Sequence, residues 1–187
     1  MLEKPILAGD RVVLRPISLA DAAPMFASLS DKESMRLTGT QQTFTFEEVK
    51  QYCQRVMKAD DRADYAITAK GDPTYLGEVV LNDIDWTNRS AGFRIALARE
   101  ALFGQGYGTE ATRLMIDYGF QTLNLHRIEL EVYDFNPRAQ HVYEKVGFVQ
   151  EGVRRDALLW NGRYQNAIIM SILEEDWTDL RTIQSAD

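Results

Sequence analysis

Three glycines at alternate positions, Gly104, Gly106 and Gly108, stand between a strand-like run and an amphipathic segment. No other stretch restricts the fold as strongly. Glycine lacks a Cβ and reaches positive φ, so the chain can turn there directly from strand into helix. Beyond the turn, Ala111, Leu114, Met115 and Tyr118 fall at i, i+3, i+4 and i+7, which predicts a helix over about 107–122. Bare backbone amides ahead of a helix N-terminus suit a phosphate, and Thr109 adds a hydroxyl donor. Two other readings stay open for this segment alone. It can be a tight turn with no ligand. It can also be a dinucleotide fingerprint, but the third glycine of G-x-G-x-x-G then falls one residue early and the turn lies mid-chain.

The flanking elements are short and mixed. Strands are expected at 11–15, 65–69, 75–81, 92–97, 127–133 and 164–173, with another beginning at Phe148. Gly71-Asp72-Pro73 predicts an antiparallel hairpin between the second and third of these, and Asn161-Gly162 a type I′ hairpin turn near the C-terminus. The stretch 82–90 reads as a connecting loop. Two capping boxes, Ser18 with Asp21 and Thr45 with Glu48, open helices, the second running to about Met57. A further helix over 136–146 starts with Asn136 as N-cap and Pro137 at N1, and Gly147 suits its C-terminal stop. A last short helix is expected at 174–180. The pattern is α/β with a mixed, mostly antiparallel sheet.

The chain of 187 residues carries no repeat or linker signal, so residues 1–187 read as one domain with a core at about 10–177. A net charge of −7 gives no field that would attract nucleic acid. One cysteine, Cys53, excludes an internal disulfide, and with His126 and His141 as the only histidines no familiar zinc spacing exists. No metal is therefore expected. No apolar window approaches a membrane span, and a reduced, cytoplasmic setting fits.

The glycine turn and the Asn136 helix, taken together with a strand between them, resemble the GNAT (GCN5-related) N-acetyltransferase superfamily. Gly106 and Gly108 match its phosphate-binding turn. Asn136, Ala139, Tyr143, Gly147 and Phe148 match its N-x-x-[SA]-x-x-x-Y-x-x-x-G-F element at every spacing. Leu14-Arg15-Pro16, the 104–111 run and Asn161-Gly162-Arg163-Tyr164 are similar to the RimJ/RimL-type branch, which includes protein N-terminal acetyltransferases and has spermidine acetyltransferases as near relatives. The superfamily often carries Arg or Gln where this chain has Phe103, so the charge from that position is missing here.

The resemblance implies a single-domain GNAT fold: a twisted mixed sheet flanked by helices, with a splayed strand pair that holds the cofactor. It implies acetyl-CoA as co-substrate and direct attack of an amine on the thioester in a ternary complex. Phe103, Gly104, Gln105, Gly106, Tyr107, Gly108 and Thr109 would hold the diphosphate. Ile95, Ala96 and Leu97 on a bulged strand would pair with the pantetheine, and Asn136 would lie near it. Tyr143 would protonate or hydrogen-bond the departing thiolate, since a phenol with a pKa of about 10 stays protonated at neutral pH.

The residues leave the rest less determined. A Lys-like amine has an unperturbed pKa of about 10.4 and must lose a proton, and Glu78 on a central strand is the candidate base, directly or through water. Asp31, Glu33, Glu47 and Glu48 in the N-terminal helices would suit a cationic amine, or else form a solvated helix surface. A protein N-terminus leads as acceptor, with a polyamine or other small amine as the alternative. A non-catalytic acyl-CoA-binding module is the rival class. Exposed strands near 157–160 and 164–169 could pair between subunits into a homodimer.

Overall fold

A computed structural model describes residues 2–178. Among them, eight strands form a single sheet in the order β1-β2-β3-β4-β5-β6-β8-β7. These are β1 (Leu7–Ala8), β2 (Val12–Pro16), β3 (Ala63–Ala69), β4 (Asp72–Asp85), β5 (Ser90–Leu97), β6 (Arg127–Tyr133), β7 (Val149–Trp160) and β8 (Arg163–Leu173). Every neighbouring pair is antiparallel except β5 with β6. The helices are α1 (Ala22–Ser28), α2 (Lys32–Leu37), α3 (Phe46–Val56), α4 (Tyr107–Gln121) and α5 (Pro137–Val146). Residues 174–178 are helical too, and the remainder of the terminal helix expected at 174–180 lies outside the described residues.

Two apolar layers hold the sheet between them. On one face, Met115, Ile116, Tyr143 and Val146 of α4 and α5 pack with Leu81, Ile128 and Met170. On the other, Val49, Cys53 and Val56 of α3 pack with Met25 of α1, Ile17 and Ala66. β3 is covered on both faces, so residues 63–68 are all buried instead of alternating. β6 alternates, with Ile128, Leu130 and Val132 inward and Glu129 and Glu131 outward. Cys53 is fully buried, and burial pushes its thiol up to about 11.

The structure departs from the expected element list in several ways. β1 was too short to give a sequence pattern. A separate helix, α2, follows α1, where Asp31 accepts from the Ser34 amide at 2.8 Å and caps its start. The loop expected at 82–90 is partly strand, because β4 continues to Asp85 through an irregularity between Asn82 and Asp85, with Asp83 at φ 51°. The bulge expected within 95–97 is absent: the β4–β5 register runs unbroken from Gly77↔Leu97 to Asn82↔Gly92. The turn at Asn161-Gly162 has positive φ at both residues, 48° and 75°, as a type I′ turn requires.

Both capping boxes form. The first is tied to the sheet. Arg15 of β2 donates from both terminal guanidinium nitrogens, Nη1 and Nη2, to Asp21, at 2.8 and 2.6 Å, and the Ser18 amide donates to the same carboxylate at 2.8 Å. Asp21 is 1% exposed. Burial alone would raise its carboxyl, but the hydrogen bonds from Arg15 and Ser18 outweigh that and hold it below the ordinary carboxylate value. Replacing Asp21 with Ala strands a guanidinium and an amide, and should cost about 3 kcal/mol in chemical denaturation. Because the folded-state value lies below the unfolded one, Asp21 contributes its stability above about pH 4 and loses it as acid carries the pH down through the folded value. Wild type should therefore lose stability more steeply than Asp21→Asn below that pH.

Candidate active site

β5 and β6 pair over only three positions, Ser90↔Arg127, Ala91↔Ile128 and Gly92↔Glu129. Beyond Gly92, β5 stays with β4 while β6 leaves with β8, and a V opens between them. A cavity of about 470 Å³ fills this gap and continues to the glycine turn. Its walls bring together Ile95, Ala96 and Leu97 of β5, Asn136 and Tyr143 of α5, and Phe103, Gly104, Gly106, Gly108 and Thr109 of the turn. These residues lie far apart in sequence, and they are the ones singled out from it for cofactor binding and proton donation. On their open side the β5 amides and carbonyls have no neighbouring strand; the Leu97 carbonyl accepts from the Ser34 hydroxyl at 3.1 Å, and the rest are left for a ligand or water.

The two other turn residues are placed differently. Gln105 is not on the cavity wall: its side chain donates to the Ala101 carbonyl at 2.7 Å and its own carbonyl accepts from Arg11 at 3.3 Å. Tyr107 packs against the core. Gly104 and Gly106 have φ of 74° and 84°, which only glycine adopts readily, so a tight turn alone accounts for both. Gly108 is different. It lies in α4, and a Cβ there would meet no protein atom nearer than 3.9 Å. Neither conformation nor packing within the protein calls for glycine at this position, and the bare backbone leaves room for a ligand at the helix N-terminus.

The charge missing at Phe103 is supplied from α5. The Arg138 guanidinium lies 3.8 Å from the Phe103 ring centre, a cation–π geometry, and both residues line the cavity. Lys145 also lines it. Cationic groups, glycine amides and the first turn of α4 together fit a diphosphate. Arg138 was overlooked in the sequence, although it follows Asn136-Pro137 directly.

Tyr143 is 8% exposed and packs edge-on against Phe93 and Phe148, with ring centres at 6.0 and 5.8 Å. Burial raises its phenol well above the ordinary value. Asn136 caps α5, its Oδ1 accepting from the Ala139 amide at 3.2 Å.

Glu78 stands one layer behind the wall. Its Oε1 accepts from Arg94 at 3.1 Å, and it is Arg94 that lines the cavity. Its other oxygen is buried and has no hydrogen-bond partner among the described residues. Desolvation raises the carboxyl, with Arg94 pulling the other way. Tyr52, unnoticed in the sequence because it lies on a helix whose buried stripe is aliphatic, joins this cluster: its hydroxyl donates to Asp64 at 2.7 Å and accepts from Arg62 at 3.1 Å.

The acidic residues expected in the acceptor cleft are engaged elsewhere. Asp31 caps α2, Glu33 is paired through both oxygens with Arg36, Glu48 closes the Thr45 box, and Glu47 sits 3.7 Å from Lys50. None of the four lines the cavity. Asp31 and Glu48 satisfy amides at helix starts, and Glu33 and Glu47 pair with the basic residue three positions on. α2 instead gives the cavity Ser34, Leu37 and Thr38. The carboxylate on the wall is Glu131 of β6. Both histidines are exposed, and among the described residues no group of His, Cys, Asp or Glu could hold a metal ion.

Comparison with known proteins agrees with this geometry. Residues 11–149 match the family model for the acetyltransferase (GNAT) domain. A spermidine N(1)-acetyltransferase of Escherichia coli (strain K12) is 30% identical over 170 residues, covering 91% of this chain and 90% of that protein. The spermidine N(1)-acetyltransferase of Vibrio cholerae is 41% identical over 102 residues, a shorter stretch that spans 54% of this chain and 58% of the relative. The crystal structure of spermidine N-acetyltransferase from Vibrio cholerae in complex with CoA and spermine superposes with a TM-score of 0.83 at 28% identity, covering 89% of this chain and 98% of that one. The family match over most of the length, and a cavity built from the family's motif residues, lead to one conclusion: the chain belongs to the GNAT acetyltransferase family and is an acetyl-CoA-dependent N-acetyltransferase.

Proposed function

We propose that the chain acetylates a primary amine of a small cationic acceptor of the polyamine class. The carrying observation is the V between β5 and β6, which joins a phosphate-suited turn to a buried phenol and opens on its far side to α2. Relatives named as spermidine acetyltransferases over nine-tenths of the chain support the polyamine class. A protein N-terminus, the leading expectation from sequence, has no comparable support.

Acetyl-CoA supplies a thioester carbonyl open to attack by an amine. In this reading the amides around Gly106 and Gly108, with Thr109 and the Arg138–Phe103 stack, hold the diphosphate. The free edge of β5 at Ile95, Ala96 and Leu97 pairs with the pantetheine and holds a carbonyl oxygen by its amides, as a preorganised donor does for developing negative charge. Asn136 lines the same channel. Tyr143, kept protonated by burial, donates to the departing sulfur. Glu78, whose proton affinity burial raises, draws the amine proton through water. A reduced, cytoplasmic setting belongs to the same reading, and the exposed Val149, Val153 and Tyr164 of the β7–β8 hairpin support pairing of two copies there.

Thiol release from acetyl-CoA across peptide N-termini, spermidine, spermine and aminoglycosides tests the acceptor, and turnover confined to peptides would overturn the polyamine class. Tyr143→Phe should lower kcat by about 10²-fold or more while cofactor affinity holds, and an unchanged rate would remove Tyr143 from proton donation. Gly108→Val should weaken CoA binding by calorimetry at least about tenfold by filling the approach to the α4 amides. Undiminished binding would place the diphosphate elsewhere.

A further inference from the structure

We propose that Glu131 receives a second ammonium group of the acceptor, so that this enzyme favours amines carrying two positive charges over monoamines. The inference rests on the reading of the V as the amine site and adds to it the residue that selects the substrate.

The argument begins with register. Gly92 is level with Glu129 in the parallel pair, so two residues further on Arg94 and Glu131 are level on the two arms of the V. Paired positions in a parallel sheet present their side chains to the same face. Phe93 and Leu130 are buried toward α4 and α5, and Arg94 and Glu131 therefore face the other side, away from the cofactor helices. Both line the cavity, and their side chains remain 54% and 47% exposed, so solvent and ligand reach them. One arm is positive and the other negative.

That polarity has a chemical meaning for an amine acceptor. The nitrogen that attacks must be neutral, and a guanidinium nearby lowers the proton affinity of an amine. Arg94 is adjacent in sequence to Ile95 and Ala96, the thioester-binding edge proposed above. A second nitrogen stays protonated and needs a carboxylate. Every other charged side chain on the cavity wall is cationic: Arg94, Arg138 and Lys145. Glu131 is thus the position on that wall where a substrate cation is attracted. Its Oε1 is engaged by Arg154, whereas its Oε2 has no hydrogen-bond partner among the described residues. A carboxylate accepts several hydrogen bonds, so an ammonium can join without displacing Arg154.

The test compares propylamine, 1,4-diaminobutane and spermidine as acceptors in the thiol-release assay with the intact chain. Wild type should prefer the two polycations. Glu131→Gln should raise KM for 1,4-diaminobutane and spermidine roughly fivefold, as for loss of a partly exposed ion pair, and leave KM for propylamine and for acetyl-CoA unchanged. Arg154→Gln, which frees Glu131 without removing it, should lower KM for the polycations. Glu129→Gln, on the same face but paired with Arg127 outside the cavity, should do neither. The preference should also weaken as salt is raised. Equal effects of Glu131→Gln on propylamine and the diamine, or no effect on either, would overturn the role of Glu131. Wild type that turns over propylamine as well as the diamine would overturn this inference alone. Wild type that binds CoA by calorimetry and acetylates none of the three amines would overturn the acceptor reading as well.

Discussion

The parting of β5 from β6 after three paired residues is the constraint on which the rest of the site depends. A parallel pair that continued would satisfy the backbone of Phe93 through Leu97 and close the sheet. β8 holds the other edge of β6 along its whole length and β4 holds the other edge of β5, so beyond Gly92 and Glu129 the two facing edges part with no strand between them. The free edge so created must find partners in a ligand or in water. It also sets Arg94 and Glu131 apart, and gives α5 room to lower Tyr143 between the strands. Gly77 secures the other side of β5: a Cβ there would collide with the Ala96 carbonyl, so β4 can approach β5 this closely only at a glycine.

Much of this was legible in the sequence because it is written locally. Strand alternation in β6, helical spacing in α4, the Thr45–Glu48 box and the Asn161-Gly162 turn each involve residues within a few positions of one another, and each formed as expected. The cavity wall was legible for a different reason. Gly106, Gly108, Asn136 and Tyr143 sit at fixed spacings around two helix starts, so motif and geometry coincide.

What was not legible depends on contacts between distant segments. The acidic residues of the N-terminal helices carry the same letters whether they cap a helix, pair with a neighbouring base or bind an amine, and caps and local ion pairs claimed them. Arg138 on Phe103, Tyr52 beside Asp64 and Arg94 over Glu78 join residues from different elements, and no periodicity marks such pairs. β1 has only two residues, and α2 only six, so neither reaches the length at which a pattern declares itself. The continuation of β4 past Asn82 was hidden by turn-forming residues that the bulge at Asp83 accommodates within a strand.

The placement of Cys53 has a consequence for an enzyme that handles thioesters. Its co-substrate is an acyl-sulfur compound and its product is a free thiol, both of which exchange with any accessible thiolate. The lone sulfhydryl of this chain lies on the buried face of α3 with no exposed surface and, at a pKa of about 11, holds its proton under ordinary conditions. Self-acylation and mixed-disulfide formation with the released coenzyme are thereby closed off, and the protein can turn over its sulfur chemistry without being marked by it.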